Sequence, residues 1–141
     1  MSRALDTAAP ALLLIGRALI AAIFLHEGVV KLTNYAGAVA YARAFALPAE
    51  VIPLAIALEL GCGLAVLTGL WPRLAALLLA GFCIATALIF HNRLSDTNQL
   101  LHFEKNLAIA GGCLILAATG AGRLALSARR ETAFRREAKA I

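Results

Sequence analysis

Charged residues are scarce in this chain. Of its 141 residues, 15% are Asp, Glu, Lys or Arg, whereas 62% are hydrophobic. A soluble domain carries roughly a quarter charged and half apolar residues, so the shortage of charge excludes an ordinary soluble protein. The surplus of apolar surface has to be covered by lipid. The composition therefore predicts an integral membrane protein with lipid as its first partner.

Cysteines are also few, and none is paired in the sequence. The three are Cys62, Cys83 and Cys113, each inside an apolar run and none in a CxxC motif. This pattern speaks against a disulfide framework, a zinc site or an iron–sulfur cluster. A glycine-rich flavin fingerprint is missing as well. We therefore predict no metal site and no encoded cofactor, and we interpret the cysteines as small apolar core residues.

Four apolar segments are long enough to cross a membrane, which takes about 20 helical residues each. They lie at residues 10–30, 51–70, 73–90 and 106–126. Strand-like alternation is not sustained anywhere, which excludes a membrane β-barrel. The predicted fold is all-α, an antiparallel four-helix transmembrane bundle formed by residues 1–126.

Two of the segments outside these spans have a distinctive composition. The first loop, "TNYAGAVAYARAFALPAE", is amphipathic and predicts an interfacial helix with Tyr35 and Tyr41 at headgroup depth. The second is the basic tail 127–141. A basic stretch directly after a membrane helix is typical of a cytoplasmic flank. No nucleic-acid motif accompanies the net charge of +5, so we predict no nucleic-acid partner.

The distribution of Lys and Arg predicts the orientation of the bundle. One side holds eight of them, namely Arg3, Arg73 and six in residues 123–141. The other side holds four, namely Lys31, Arg43, Arg93 and Lys105. Because the basic side stays in the cytoplasm, both termini are predicted to be cytoplasmic and the two longer loops to lie outside.

Ionisable residues interrupt the first two spans, where each costs roughly 2.5 to 3.5 kcal/mol at mid-helix. If Val30 and Val51 mark the outer ends of their spans, Arg17 and Glu59 differ in depth by about 8 Å. This estimate predicts a salt bridge between Arg17 and Glu59. Two interpretations stay open, an internal pair that only fixes packing and a site that binds or moves a polar molecule.

Further polar residues gather at the outer ends of the spans. Some of them are explained by helix ends that meet water. Taken together, however, they predict one outward-facing pocket with Arg17 and Glu59 in its floor. Besides Glu59, the predicted ligand-binding residues are Arg17, Glu27, Lys31, His91, Lys105 and Asn106.

Three motifs resemble the DoxX family of small bacterial membrane proteins: "GRALIAAIFLHEGVVKL", "LELGCGLAVLTGLWPRLAALLLA" and "FEKNLAIAGGCLIL". The resemblance covers residues 12–122. It implies a four-helix protein of the bacterial inner membrane, often linked to oxidoreductase complexes, with relatives in thiosulfate:quinone oxidoreduction and in oxidative or thiol stress. The residues carried over by the motifs are Arg17, Gly28, Lys31, Glu59, Lys105 and Asn106.

Three functions compete on this basis. The first is an oxidoreductase subunit that binds a quinone, with Glu59 exchanging protons and a soluble or membrane oxidoreductase as partner. The second is a non-catalytic anchor or assembly partner for a soluble stress enzyme, docked through the basic tail. The third is a small-molecule carrier, for which four helices without an internal repeat are few. A homo-oligomer is compatible with all three.

Overall fold

The computed structural model of the protein describes residues 2–128, which fold into five α-helices without a strand. Their bounds are α1 Ser2–Thr33, α2 Tyr35–Ala44, α3 Val51–Thr68, α4 Pro72–Phe90 and α5 Thr97–Thr119. All but α2 are long and apolar enough to cross a membrane. The predicted all-α membrane bundle is thus confirmed.

The four long helices run antiparallel in chain order, which gives the bundle two distinct ends. We call the end at which α1 and α4 begin the terminal end, and the opposite end, which carries α2, the pocket end. Helix α1 packs mainly on α3, and α4 packs mainly on α5, while α1 and α5 touch little. The core between these pairs is built from small side chains around Val66, Leu79 and Cys113.

Large apolar side chains point away from the bundle on every long helix. Leu19 on α1, Leu64 on α3 and Ile115 on α5 are 70%, 53% and 66% exposed. In water this surface would be an aggregation hazard, whereas lipid covers it without cost. The outward faces of the helices are therefore the lipid-facing surface.

The turn between α3 and α4 is as short as the sequence predicts. Gly69 ends α3 in the left-handed conformation at φ 74°, which glycine adopts without a steric penalty. Trp71 is also left-handed at φ 46°, and Pro72 then occupies the first turn of α4.

The helix bounds differ from the prediction at the first and fourth spans. Helix α1 already begins at Ser2 and includes Pro10 in its interior. Helix α5 begins at Thr97 rather than 106, because the Asp96 side chain accepts hydrogen bonds from the backbone N–H groups of residues 98 and 99. It ends before Gly120, which has φ 78°. The polar segment "HFEK" at residues 102–105 thus lies inside α5, although the predicted span began only at Asn106.

The first loop does contain the predicted helix, α2, which lies across the pocket end. Its Asn34 cap accepts a hydrogen bond from Gly37 N, and its Ala42 is buried. Tyr41 stacks on Phe90 of α4 at a centroid distance of 5.3 Å, and Phe45 meets the same ring edge-on at 5.0 Å. The depth of α2 in the membrane stays a prediction. The basic tail, with its predicted docking role, lies outside the described residues from 129 onward.

Candidate functional site

A cavity of about 690 Å³ opens in the bundle at the pocket end, and all five helices contribute to its wall. Most of the lining is apolar. Its deep part, toward the middle of the bundle, is formed by residues such as Phe24, Phe82 and Ile109. Polar side chains line the part nearer the pocket end. The cavity therefore has one apolar and one polar half.

Glu59 of α3 is the most deeply buried polar group in this wall, with 3% of its side chain exposed. Its Oε1 accepts a hydrogen bond from Lys31 Nζ at 3.0 Å, which makes the pair a salt bridge. Its second oxygen, Oε2, is buried without a hydrogen-bond partner in the part of the chain that the structure describes. A buried oxygen without a hydrogen bond carries a large desolvation penalty, so a donor that reached Glu59 Oε2 would be strongly stabilised.

Lys31 connects Glu59 to the surface. Besides Glu59, its Nζ contacts Oε2 of Glu27 at 3.2 Å and the backbone oxygen of Glu27 at 3.4 Å. The three donors of the ammonium group are thus all used. The exposed fraction falls along the series, from 50% for the Glu27 side chain through 24% for Lys31 to 3% for Glu59.

Close packing between α1 and α3 sets this alignment. A Cβ atom on Gly28 would lie 2.7 Å from Leu60 Cδ2 and 3.3 Å from Glu59 Cβ, so the two helices approach closely only because residue 28 has no side chain. Gly63 makes a similar contact with Leu25, where a Cβ atom would be 3.2 Å from Cγ. These contacts place Glu59 level with Gly28 and within one helical turn of Lys31.

The predicted salt bridge between Arg17 and Glu59 is wrong. Arg17 faces Gly69 at the far end of α3, and its Nη2 donates to Leu124 O at 2.7 Å. Since eleven residues separate Arg17 from Gly28, Arg17 lies about 16 Å further toward the terminal end. The error came from aligning the span ends at residues 30 and 51, whereas the observed packing shifts α3 by about seven residues, or about 10 Å.

Arg17 is therefore not part of the cavity wall, and it is not the predicted floor. It is 3% exposed, and its Nε and Nη1 have no hydrogen-bond partner within residues 2–128. The hydrogen bond from Arg17 to Leu124 O connects α1 to the segment that follows α5. Its geometry thus supports a structural role at the terminal end.

The wall opposite Lys31 is formed by α4 and α5. Asn106 Nδ2 donates to His102 O at 3.0 Å, and its Oδ1 lies 3.3 Å from the hydroxyl of Thr86. These contacts fix the side-chain amide at the boundary between the two helices. One of its two N–H bonds remains for a ligand, because an amide nitrogen carries two.

A second polar group lies nearer the mouth. His91 Nδ1 donates to Gln99 Oε1 at 2.9 Å, and the His91 ring stacks on that of His102 at a centroid distance of 5.1 Å. Both histidines and Lys105 line the cavity. Lys105 is exposed, and within residues 2–128 no carboxylate lies within salt-bridge distance of it. An unpaired cation at the mouth favours a ligand with a carbonyl or anionic oxygen.

The structure thus places most of the predicted site residues in the lining of one cavity and leaves Arg17 outside it. Those in the wall are Glu27, Lys31, Glu59, His91, Lys105 and Asn106. Their role in ligand binding stays a prediction. The sequence reasoning missed Thr86 and Gln99, which orient Asn106 and His91. A single threonine in an otherwise apolar span was the available signal for Thr86, whereas nothing in the sequence marked Gln99.

The cavity also contains one thiol. Cys83 is buried and lines the wall, Cys113 is buried in the core, and Cys62 is half-buried. All three are free thiols. Among residues 2–128, no group of three or more His, Cys, Asp or Glu side chains is arranged to hold a metal ion.

Comparison with known proteins gives matches over most of the chain. The sequence profile of the DoxX family matches residues 12–92. The inner membrane protein YqjF of Escherichia coli (strain K12) is 44% identical over 109 residues, or 77% of this chain and 84% of the relative. The inner membrane protein YphA of the same organism is 31% identical over 129 residues, or 86% and 92%. No solved structure matches the chain.

Proposed function

The chain belongs to the DoxX family of membrane-embedded proteins, and on this premise we propose that its cavity binds the polar head of a lipophilic redox molecule. A quinone is the class that fits best. In this function the protein is the membrane subunit of an oxidoreductase system, and a partner protein supplies or accepts the electrons. The observation that carries the proposal is the Glu59 Oε2 atom, buried without a partner among residues 2–128, beside a cavity that is mostly apolar.

The size and polarity of the cavity support this class of ligand. Pockets for small molecules typically have volumes of roughly 300 to 1,000 Å³ and apolar walls with a few placed polar groups. Here the volume is about 690 Å³, and the polar groups are confined to one half. A ring with hydrogen-bonding oxygens fits the polar half, and an apolar tail fits the half lined by Phe24 and Phe82.

Each polar residue can make a specific contribution to the binding or the protonation of such a ligand. Asn106 retains one free N–H bond and Lys105 is unpaired, so both are available to donate to a ring oxygen. Glu59 holds or releases a proton at Oε2. Lys31 balances the charge of Glu59 when that proton leaves. A bound quinone supplies two-electron, two-proton chemistry, which needs such a proton-exchanging group nearby.

The pocket end is proposed to face the extracytoplasmic side. The eight basic residues that flank the terminal end outnumber the four at the pocket end, which favours cytoplasmic termini. The Escherichia coli relatives are inner membrane proteins by name. We accordingly place this chain in a bacterial inner membrane, with its cavity open toward the outer face.

Photolabelling tests the proposed function. The purified protein in lipid nanodiscs is irradiated with a photoactivatable short-chain benzoquinone, with and without excess unlabelled quinone. Label on peptides of α1 and α5 that the competitor removes is the expected result. Asn106→Leu should weaken binding about tenfold, the equivalent of one hydrogen bond, because it removes a donor from the wall.

The control is Glu104→Gln, which changes an exposed residue outside the cavity wall and should bind as the unaltered protein does. Label that the competitor does not remove, or that lies on the lipid-facing residues, would contradict the proposal. Equal affinity in the Asn106→Leu variant and in its control would also count against the site as described.

A further inference from the structure

We propose that Glu27, Lys31 and Glu59 form a proton route between water at the pocket end and the interior of the cavity. The route gives the proposed quinone site its proton and in this sense rests on the proposed function. It adds two things to that function: a defined side of the membrane from which the proton comes, and a task for Glu27 and Lys31 beyond packing.

The first argument is continuity. Lys31 Nζ lies 3.2 Å from Glu27 Oε2 and 3.0 Å from Glu59 Oε1, so three ionisable groups are joined by two hydrogen bonds. Exposure falls from 50% for Glu27 to 3% for Glu59. The first member therefore exchanges protons with water directly, whereas the side chain of the last is almost inaccessible to water.

The second argument concerns which donors of Lys31 and which acceptors of Glu59 are already used in hydrogen bonds. Lys31 uses all three of its donors on Glu27 and Glu59, which fixes the ammonium between the two carboxylates. On Glu59 this leaves Oε2 as the unused atom, and Glu59 lines the cavity. One oxygen of the carboxylate is thus committed to Lys31, and the other is buried beside the cavity without a hydrogen-bond partner among residues 2–128.

The proton transfer balances without any additional reactant. Glu27 takes a proton from water and passes it to Lys31 Nζ, while Lys31 gives one of its own protons to Glu59 Oε1. The net change is one proton moved from water to Glu59, with Lys31 again an ammonium and Glu27 again a carboxylate. Rotation of the Glu59 carboxyl then presents the proton at the position of Oε2, and the reverse sequence releases a proton to water.

Other titratable groups face the same cavity and define the alternative routes. None of them is hydrogen-bonded to Glu59 within residues 2–128. They are Tyr41 from α2, Cys83 and His91 from α4, and His102 and Lys105 from α5. Since Lys31 is the only hydrogen-bond partner of the Glu59 carboxylate among residues 2–128, the route through α1 is the continuous one.

The test measures proton exchange at Glu59 without any quinone. The full-length protein in nanodiscs is subjected to a rapid pH jump, and the carboxyl stretching band of Glu59 is followed by time-resolved infrared spectroscopy. Loss of the band in Glu59→Gln assigns it. Glu27→Gln should slow the response roughly tenfold or more, because an amide cannot pass on a proton. Glu27→Asp should restore most of the rate.

The Lys31→Arg variant keeps the positive charge at this position but removes the ability to transfer a proton. A guanidinium holds both carboxylates but does not release a proton in proteins, so this variant should keep the fold and still slow the response at least as strongly as Glu27→Gln. Glu104→Gln is the control for an exposed carboxylate that does not line the cavity, and it should respond at the unaltered rate.

An unchanged rate in Glu27→Gln or in Lys31→Arg would overturn the proton route, and so would a Glu59 band that does not respond to pH. Because no quinone is present, these outcomes are independent of the photolabelling experiment. If quinone fails to bind while Glu27→Gln still slows the response, the proposed function fails and the proton route stands.

Discussion

The unequal burial of the two partners predicts that losing Lys31 and losing Glu59 destabilise the protein to different degrees. Lys31→Met leaves a carboxylate that is 3% exposed without the only ion-pair partner it has among residues 2–128. Removing one member of a dry buried pair costs about 3 to 5 kcal/mol. Since the Lys31 side chain is itself 24% exposed, water screens part of this pair, and we expect a loss of about 2 to 3 kcal/mol in the free energy of unfolding.

Glu59→Leu should cost much less. Lys31 keeps its salt bridge to Glu27 at 3.2 Å and its access to water, so no charge is left without a partner. We expect a loss below about 1 kcal/mol, because the leucine also adds apolar surface to the wall. The double variant should then be as stable as Glu59→Leu alone, within about 0.5 kcal/mol.

Reversible unfolding in mixed detergent micelles, followed by circular dichroism, gives the four free energies of this double-mutant cycle. The expected coupling between Lys31 and Glu59 equals the loss for Lys31→Met, about 2 to 3 kcal/mol. Two results would refute the reasoning. One is an equal loss for the two single variants, and the other is a double variant whose loss is the sum of both. Either result would mean that the Glu59 carboxylate is solvated through the cavity and does not depend on Lys31.

Three further predictions test the packing and the orientation. Gly28→Leu should lower the free energy of unfolding by about 1 to 3 kcal/mol through overpacking between α1 and α3, whereas Gly16→Leu on the same helix should not, because nothing lies within 4 Å of a Cβ atom there. Arg17→Met and Glu59→Leu should be additive within about 0.5 kcal/mol in the same unfolding assay, because they lie far apart. An impermeant thiol reagent applied to intact cells should not label Ser127→Cys, whereas it should label a cysteine placed in the loop between α4 and α5.

Each of these predictions has an outcome that contradicts it. Equal losses for the two glycine variants would mean that Gly28 is not a contact between helices. A coupling above about 1 kcal/mol between Arg17 and Glu59 would restore the salt bridge that the structure places elsewhere. Labelling of Ser127→Cys from outside would reverse the proposed orientation and would place the cavity mouth on the cytoplasmic side.

The sequence by itself was sufficient to predict the fold class, because the necessary information is local. Whether a segment forms a membrane helix depends on the length and polarity of that segment, and the tight turn before α4 follows from Gly69 and Pro72. The start of α5 was predicted wrongly for a local reason too. The Asp96 cap lies ten residues before the predicted start of the span at residue 106, and hydropathy alone does not register a cap.

The residues that line the cavity were also largely predictable, because ionisable residues in membrane helices face the interior of the bundle. Glu59 was recognised on this ground, whereas Lys31 was recognised because it belongs to the polar residues at the outer ends of the spans and to a family motif. Their partnership was not predictable, because it depends on how far one helix is shifted along another. That shift is set where Gly28 lets Leu60 approach and where Gly63 meets Leu25.

The alignment of the helices is thus the part that only the tertiary structure decided. A shift of about 10 Å along α3 exchanges Arg17 for Lys31 as the partner of Glu59 and leaves every local pattern unchanged. Several alignments of α1 on α3 would keep the polar residues away from lipid, and side-chain packing selects one of them. Such packing energies arise only when the helices are in contact. The sequence determined which residues avoid lipid, and the packing of α1 on α3 determined which of them meet.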